Sequence, residues 1–350
     1  MKLRFSQLSM LSFGLVLFYS GIVNAKTPAE MADLSLNDLY MMSVDENEQD
    51  YGFQFGVLLK KRKLDGYMSG TKTLSYDDVL YQPPEQRTNQ NYPVVPTVIS
   101  QQTLVLNFAF GIDEKSTVSI SIPYIEQDTD HISIVPGYDT FNIASQGLGD
   151  IRLNYQHRVY KVNNTHVEFS LGISLPTGSI DERGDTPRAP GDQQLPYTMQ
   201  LGSGTFDLPV GLNVSHLVQD YSVGLSLYAN VRTGKNDRDY RLGNKFALSS
   251  WIKYEGWASL DPTLKLTYIH WQAIQGQDEE ITVPGQFPYP AGITDPDNYG
   301  GQQINVSAGV DAYFGDQRAN INLVLPVYYN LNGVQPKQKL GVSLQWHQQF

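Results

Sequence analysis

"LGDIRLNYQHRVYKVNNTHVEFSLGISL", residues 148–175, places two alternating runs back to back. In the first, Asp150, Arg152, Asn154, Gln156 and Arg158 are polar, while Ile151, Leu153, Tyr155 and Val159 are mostly apolar. In the second, His166, Glu168, Ser170 and Ser174 alternate with Val167, Phe169, Leu171, Ile173 and Leu175. A period of two gives each strand one apolar and one polar face. The "KVNNT" between them is a short connection.

The same contrast spreads in both directions. Twelve runs stand near 51–61, 101–111, 116–125, 148–160, 164–176, 204–217, 221–232, 245–257, 262–272, 302–314, 318–330 and 338–350. Each is about the 9–11 residues with which a tilted strand crosses a bilayer. Periodicity alone does not separate a soluble sandwich from a membrane barrel, but the connections do. They alternate between long (62–100, 126–147, 177–203, 273–301) and short ("IDEKS", "KVNNT", "VQD", "ASLDP", "GDQR"). That asymmetry belongs to outer-membrane barrels, with tight periplasmic turns and long outer loops. The apolar set is almost free of charge, and Tyr51, Tyr124, Tyr160, Tyr221, Tyr313, Phe314, Trp346 and Phe350 crowd the strand ends as interfacial girdles do. The expected fold is therefore all-β: a transmembrane antiparallel up-and-down barrel of about 12 strands.

The N-terminal residues fix the compartment. "MKLR", an apolar core and Val23-Asn24-Ala25 read as a signal peptide over residues 1–25. Residues 26–50 follow as a short helical leader, periplasmic or lumen-entering, with Thr27-Pro28-x-Glu30 and Ser35-x-x-Asp38 as start signals. The barrel then spans 51–350. With no cysteine, there is no disulfide framework. A net charge of -11, or -13 once Lys2 and Arg4 leave with the signal, argues against nucleic-acid binding.

In the final run, Leu340, Val342, Leu344, Trp346 and Phe350 are expected to face lipid, and Lys339, Ser343, Gln345 and His347 the lumen. A closed barrel pairs this strand with the first. A terminal Phe also resembles the C-terminal signature that the outer-membrane assembly machinery reads, which makes Phe350 the expected assembly signal.

"GLGDIRLNYQHRV", "SLGISLPTGS", "SGTFDLPVGLNVSHL" and "VRTGKNDRDYRLGNKFALSSWIKYEGW" together resemble the outer-membrane transporters labelled meta-pathway of phenol degradation, from about residue 100 onward. The resemblance implies a channel for aromatic or other small solutes and carries over no binding residue.

Inward parity assigns Lys60, Arg152, Arg158, Arg232, Lys253, Lys265 and Lys339 to the lumen, against Asp150, Glu168, Asp207, Glu255 and Asp311. Twelve strands lie between filled eight-stranded barrels and open sixteen-stranded porins, so a narrow pore is expected. For catalysis, "EQDTDHISI" offers His131 and Ser133 beside Asp128 and Asp130, but on a loop that leaves their geometry unfixed. The remaining histidines lack metal-site spacing, and the acidic groups Asp181-Glu182, Asp278-Glu279-Glu280 and Asp295/Asp297 read as solvated loops.

The expectation is a non-enzymatic outer-membrane channel for small organic solutes, without cofactor or metal. Its expected partners are outer-membrane lipid, lipopolysaccharide, the assembly machinery and small solutes. A structural or surface-binding barrel with a plugged lumen is the alternative, and an outer-membrane hydrolase the weakest.

Overall fold

The structure is a computed structural model that describes residues 52–350. The expected signal peptide, leader and Tyr51 lie outside the described residues. In chain order the strands are β1 (Phe53–Gly70), β2 (Lys72–Leu74), β3 (Val94–Asp113), β4 (Ser116–Ser133), β5 (Thr140–Leu148) and β6 (Arg152–Val162). They continue with β7 (Thr165–Ser174), β8 (Arg183–Thr186), β9 (Ala189–Gln194), β10 (Phe206–Val218), β11 (Tyr221–Thr233) and β12 (Tyr240–Arg241). The last are β13 (Lys245–Tyr254), β14 (Leu260–Trp271), β15 (Gln275–Gly276), β16 (Gly301–Phe314) and β17 (Gln317–Gln349). The α-helix described, α1 (Tyr76–Val79), is a single turn held by a Ser75–Asp78 capping box.

Eleven of these strands pair antiparallel in the order β1, β3, β4, β6, β7, β10, β11, β13, β14, β16, β17, and β17 closes the ring on β1. β2 and β5 pair from outside that ring, on β1 and β4. An odd number of passes cannot close antiparallel, and β17 resolves this by turning back. Its first half pairs with β16 up to Leu331, its second pairs with β1 from Val334 onward, and Gly333 takes the positive φ of 54° that the reversal needs. The chain therefore crosses twelve times, once for each alternating run of the sequence.

One end of the barrel is closed by tight turns. β3–β4, β6–β7, β10–β11 and β16–β17 are each joined by two residues, and in the last three Asn163, Gln219 and Gly315 take the positive φ that tight hairpin turns favour. At the other end β1 continues to Gly70, β3 begins at Val94 and β4 reaches Ser133, so the expected loops 62–100 and 126–147 are partly strand. Strand pairing does not stop at the bilayer surface; only the apolar outer face does, and the alternation signal fades with it.

The barrel is inverted relative to a soluble fold. Leu104, Val118, Leu171, Leu225, Leu264 and Leu323 lie exposed on its outside, while Gln101, Thr103, Asn107, Gln156, Ser226 and Asn230 are buried inside. At the seam the Phe350 N–H donates to the Phe53 carbonyl at 2.9 Å, and the rings of Phe53 and Phe350 lie 5.7 Å apart. Trp346 packs edge-on to Phe55, and Tyr221, Tyr254 and Trp257 form another aromatic cluster at the same end. An apolar outer belt, aromatic ends and a closed ladder are what a membrane-spanning barrel requires. The protein is an integral β-barrel of the bacterial outer membrane.

Candidate functional site: a charged lumen beneath a packed cap

Parity decides which side chains reach the lumen, and adjacent residues of β6 show how sharply. Leu153 is 43% exposed on the outer face, and Arg152, one residue earlier, is 6% exposed on the inner one. Lys60, Asp150, Arg152, Arg158, Glu168, Asp207, Arg232, Lys253 and Asp311 are all buried; Glu255 and Lys265 are half-buried. Lys339 departs from the expectation and is exposed. The pairing of β1 with β17 shifts register beside it, from Arg62↔Gly341 to Leu64↔Gln338, and breaks the alternation.

One wall of the lumen is built from ion pairs. Arg232 donates through Nη1 to Asp207 Oδ2, and Thr205 donates to the other oxygen of Asp207 at 2.8 Å. Arg158 Nε lies 3.5 Å from Glu168, whose second oxygen accepts from Gln156 at 3.0 Å. Lys253 meets Glu255 at 3.1 Å. Asp311 accepts from Arg318 at 3.0 Å and Asn320 at 2.8 Å. Sequence reading omitted Arg318 because it sits at the start of a run, where the parity had not yet been set.

A different wall gathers cations. A chamber of about 60 Å³ is lined by Lys60, Arg62, Lys245 and Lys265, together with Trp271, Ile269 and amide side chains of β16 and β17. Among the described residues, no Asp or Glu lines it. Arg62 was hidden by the early boundary given to the first run. Lys245, the first residue of its strand, has the parity of Lys253 and was legible on that ground alone.

Asp150 has a role other than wall residue. β6 begins only at Arg152, and Asp150 reaches into the connection 175–205, accepting from Gly178 N–H at 3.0 Å and from the Ser203 N–H and hydroxyl at 2.8 Å each. The two ends of that connection meet at Gly178 and Gly202, where a Cβ on Gly202 would lie 2.3 Å from the Gly178 carbonyl oxygen. This clamp holds the loop over the barrel interior. Beyond it, Ser145 donates to the Met199 carbonyl at 2.6 Å and Gln127 to the Gln200 carbonyl at 3.3 Å.

The outer connections form a cap with its own apolar cores. Met199 packs with Val94, Ile99, Ile143, Leu195, Ala291 and Ile293, and a second cluster joins Tyr197, Tyr240, Ile274 and Ile281. Arg238 links three connections, donating to Asp181 at 2.8 Å and to Asp278 at 3.2 Å. Burial raises the carboxyls of Asp278 and Asp295 above the usual range. The acidic groups expected as solvated loops are thus partly engaged in cap structure. No cluster of three or more His, Cys, Asp or Glu fit to hold a metal occurs among the described residues.

His131 and Ser133 are both buried and on one face, as two-residue spacing on a strand dictates. Their bonds lead elsewhere: His131 Nδ1 contacts the Thr129 carbonyl at 3.1 Å and its ring stacks on Phe141, while the Ser133 hydroxyl accepts from the Val135 N–H at 2.8 Å. The arrangement serves packing of the β4–β5 extension.

No family model and no curated protein matches the chain. Among solved structures it resembles an outer membrane channel from Pseudomonas putida F1, with a TM-score of 0.57 and 13% identity over 88% of this chain and all of that one. It also aligns with the β domain of a Bordetella autotransporter (TM-score 0.43, 10% identity, 86% of this chain and all of that one). A toluene transporter from P. putida aligns at a TM-score of 0.40 and 11% identity, over 86% of this chain and 91% of that one. The first of these matches the outer-membrane barrel fold found above.

Proposed function

We propose that the barrel is a weakly selective outer-membrane channel for small organic solutes, aromatic ones among them. The observation that carries this reading is the lumen, whose wall is rich in buried polar and charged side chains and contains a chamber lined in part by cations. A barrel serving only as a scaffold gains nothing from buried charges that water-excluding packing makes expensive. The resemblance to phenol-degradation transporters supports the same solute class.

The cap favours a second reading. Apolar cores spanning the outer connections narrow or close the mouth, so a surface-binding barrel with an occluded lumen fits that end of the molecule. The two readings part in a planar bilayer. A channel gives small, stable conductance and a deletion strain with slowed uptake of aromatic relative to aliphatic solutes. If wild-type protein passes no current, and loosening the cap by Asp150→Ala does not open it, the binding reading takes its place. In either case lipopolysaccharide surrounds the outer rim, and Phe350 directs assembly; replacing it with Asp should lower the yield of heat-modifiable barrel.

A further inference from the structure

We infer that the outer wall of the barrel beside the β1–β17 seam is a docking site for the phosphorylated sugar headgroup of a lipopolysaccharide molecule. The inference goes beyond solute passage and holds whether or not the lumen conducts.

Register places the site. Leu59, Leu104, Tyr124 and Leu148 form an outward-facing row across β1, β3, β4 and β5, and the next such row toward the outer connections is Lys61, Gln102, Glu126 and Gln146. The apolar belt therefore ends here within one step of the ladder. On the other flank of β1, the register shift that leaves Lys339 exposed sets Lys339 and Leu340 together opposite Lys63, and the next shift sets Lys337 opposite Asp65 and Gly66. A Cβ on Gly66 would lie 3.4 Å from the Lys337 Cε. Lys61, Lys63, Lys337 and Lys339 thus follow one strip of the wall immediately beyond the belt.

Charge identifies the kind of partner. The chain carries a net charge of -11, yet these lysines gather on one strip, and among the described residues none of their side chains makes a hydrogen bond or a close ion pair. Asp65 offsets part of the charge near Lys337, while its carboxylate also accepts from the Tyr76 hydroxyl at 2.9 Å. Lysines clustered at the edge of a bilayer attract anionic headgroups, each adding to the attraction, and their alkyl stems lie along the apolar border. In the outer leaflet of the bacterial outer membrane, the anionic headgroup at that height is the phosphorylated sugar of lipopolysaccharide.

A depression of about 490 Å³ beside the strip supplies the second half of the match. Lys61, Ser100, Gln102, Glu126, Asp128 and Gln146 line it. Asp128 Oδ1 is buried there and accepts no hydrogen bond among the described residues. Carboxylates accept, whereas amides and hydroxyls both donate and accept, so this lining suits sugar hydroxyls and the lysines suit phosphate. A phospholipid satisfies the lysines but offers few donors to Glu126 and Asp128. The apolar row beneath receives the acyl chains, so head and tail surfaces stack in the order an amphiphile presents them.

The test uses delipidated full-length protein in detergent, mixed with diphosphoryl lipid A, with its dephosphorylated form or with phosphatidylglycerol, and counts bound lipid by native mass spectrometry. One diphosphoryl lipid A per barrel should bind at least about ten-fold more tightly than either of the others, and rising salt should weaken it. Lys63→Gln combined with Lys339→Gln should reduce that affinity by about ten-fold or more. Lys115→Gln combined with Lys161→Gln removes the same charge from exposed positions at the periplasmic end and should change affinity by less than about two-fold. Heat modifiability confirms that both variants are folded. Equal binding of the phosphorylated and dephosphorylated forms overturns the site in the wild-type protein alone. Phosphatidylglycerol held as tightly as diphosphoryl lipid A also overturns it, because the wall then attracts any anionic lipid, and so does equal weakening by the two double variants.

Discussion

The two walls of the lumen use the same residue types to opposite ends. Along β6, β7, β10, β11 and β13 each of Arg158, Arg232 and Lys253 has a carboxylate within reach, and the pairs are additionally tied by Thr205 and Gln156. Along β1, the outer end of β13, and β14, cations converge on a chamber lined by no Asp or Glu among the described residues. The first arrangement neutralises itself and sets geometry. The second gathers like charges around one chamber. A count of seven cations against five anions, taken from parity, describes both walls at once and conceals the difference between them.

The largest expected effect is on stability, and it separates the walls. Asp207→Asn removes the carboxylate that pairs with the buried Arg232, and breaking such a pair by removing one partner costs about 3–5 kcal/mol. Lys245→Gln removes a charge from a like-charged cluster and should change stability by less than about 0.5 kcal/mol. Urea unfolding in lipid vesicles measures both. Similar losses at the two positions would erase the distinction.

Next in size is the test of facing on which both walls depend. Leu153→Arg puts a charge on the lipid side and should cost about 2–4 kcal/mol, depending on depth. Arg152→Gln, on the lumen side, should cost well under half of that. The same vesicle assay decides, and equal tolerance would contradict the assignment of inside and outside.

Smaller again is the clamp that holds the loop over the paired wall. Gly202→Ala forces a Cβ against the Gly178 carbonyl and the Asp150 carboxylate, so the connection 175–205 should open to protease on intact cells while the barrel stays folded. Undisturbed resistance would show that the loop is held from elsewhere.

The smallest effect is on pH. The carboxyls of Asp278 and Asp295 are raised by burial in the cap, so folding favours their protonated forms. Their contribution to cap stability therefore grows as pH falls through those raised values and is lost as pH rises through them. Protease nicking of the connection 272–300 should slow slightly as pH is lowered into the range where these raised carboxyls take up protons, using an enzyme active across it; faster nicking at low pH would contradict the assignment.

The walls also show where sequence is a sufficient guide. Residues 148–175 alone carry the facing of Arg152, Arg158 and Glu168, because alternation is a local property and every strand of a membrane barrel must obey it. Residue pairing is not local. That Arg232 meets Asp207 follows from the β10–β11 register, which parity does not contain. Strand ends were the weak point: Arg62 and Lys245 sit where the apolar outer face stops or has just begun, and Lys339 sits at a register shift that no pattern announces. The cap was least legible, since Met199, Ile143 and Ile293 come together from three connections whose sequences share no period.

The most direct test is the reversal potential of single barrels in a planar bilayer under a potassium chloride gradient. Cations confined at a narrow part of the pore set selectivity, whereas the acidic outer loops are screened beyond a Debye length of ~8 Å. Wild-type protein should show a weak anion preference. Replacing Lys60, Arg62, Lys245 and Lys265 with Gln should abolish or reverse it, and replacing Arg158 and Glu168 together with Gln should leave it nearly unchanged. A preference that follows the Arg158–Glu168 pair and ignores the four cations would contradict the account.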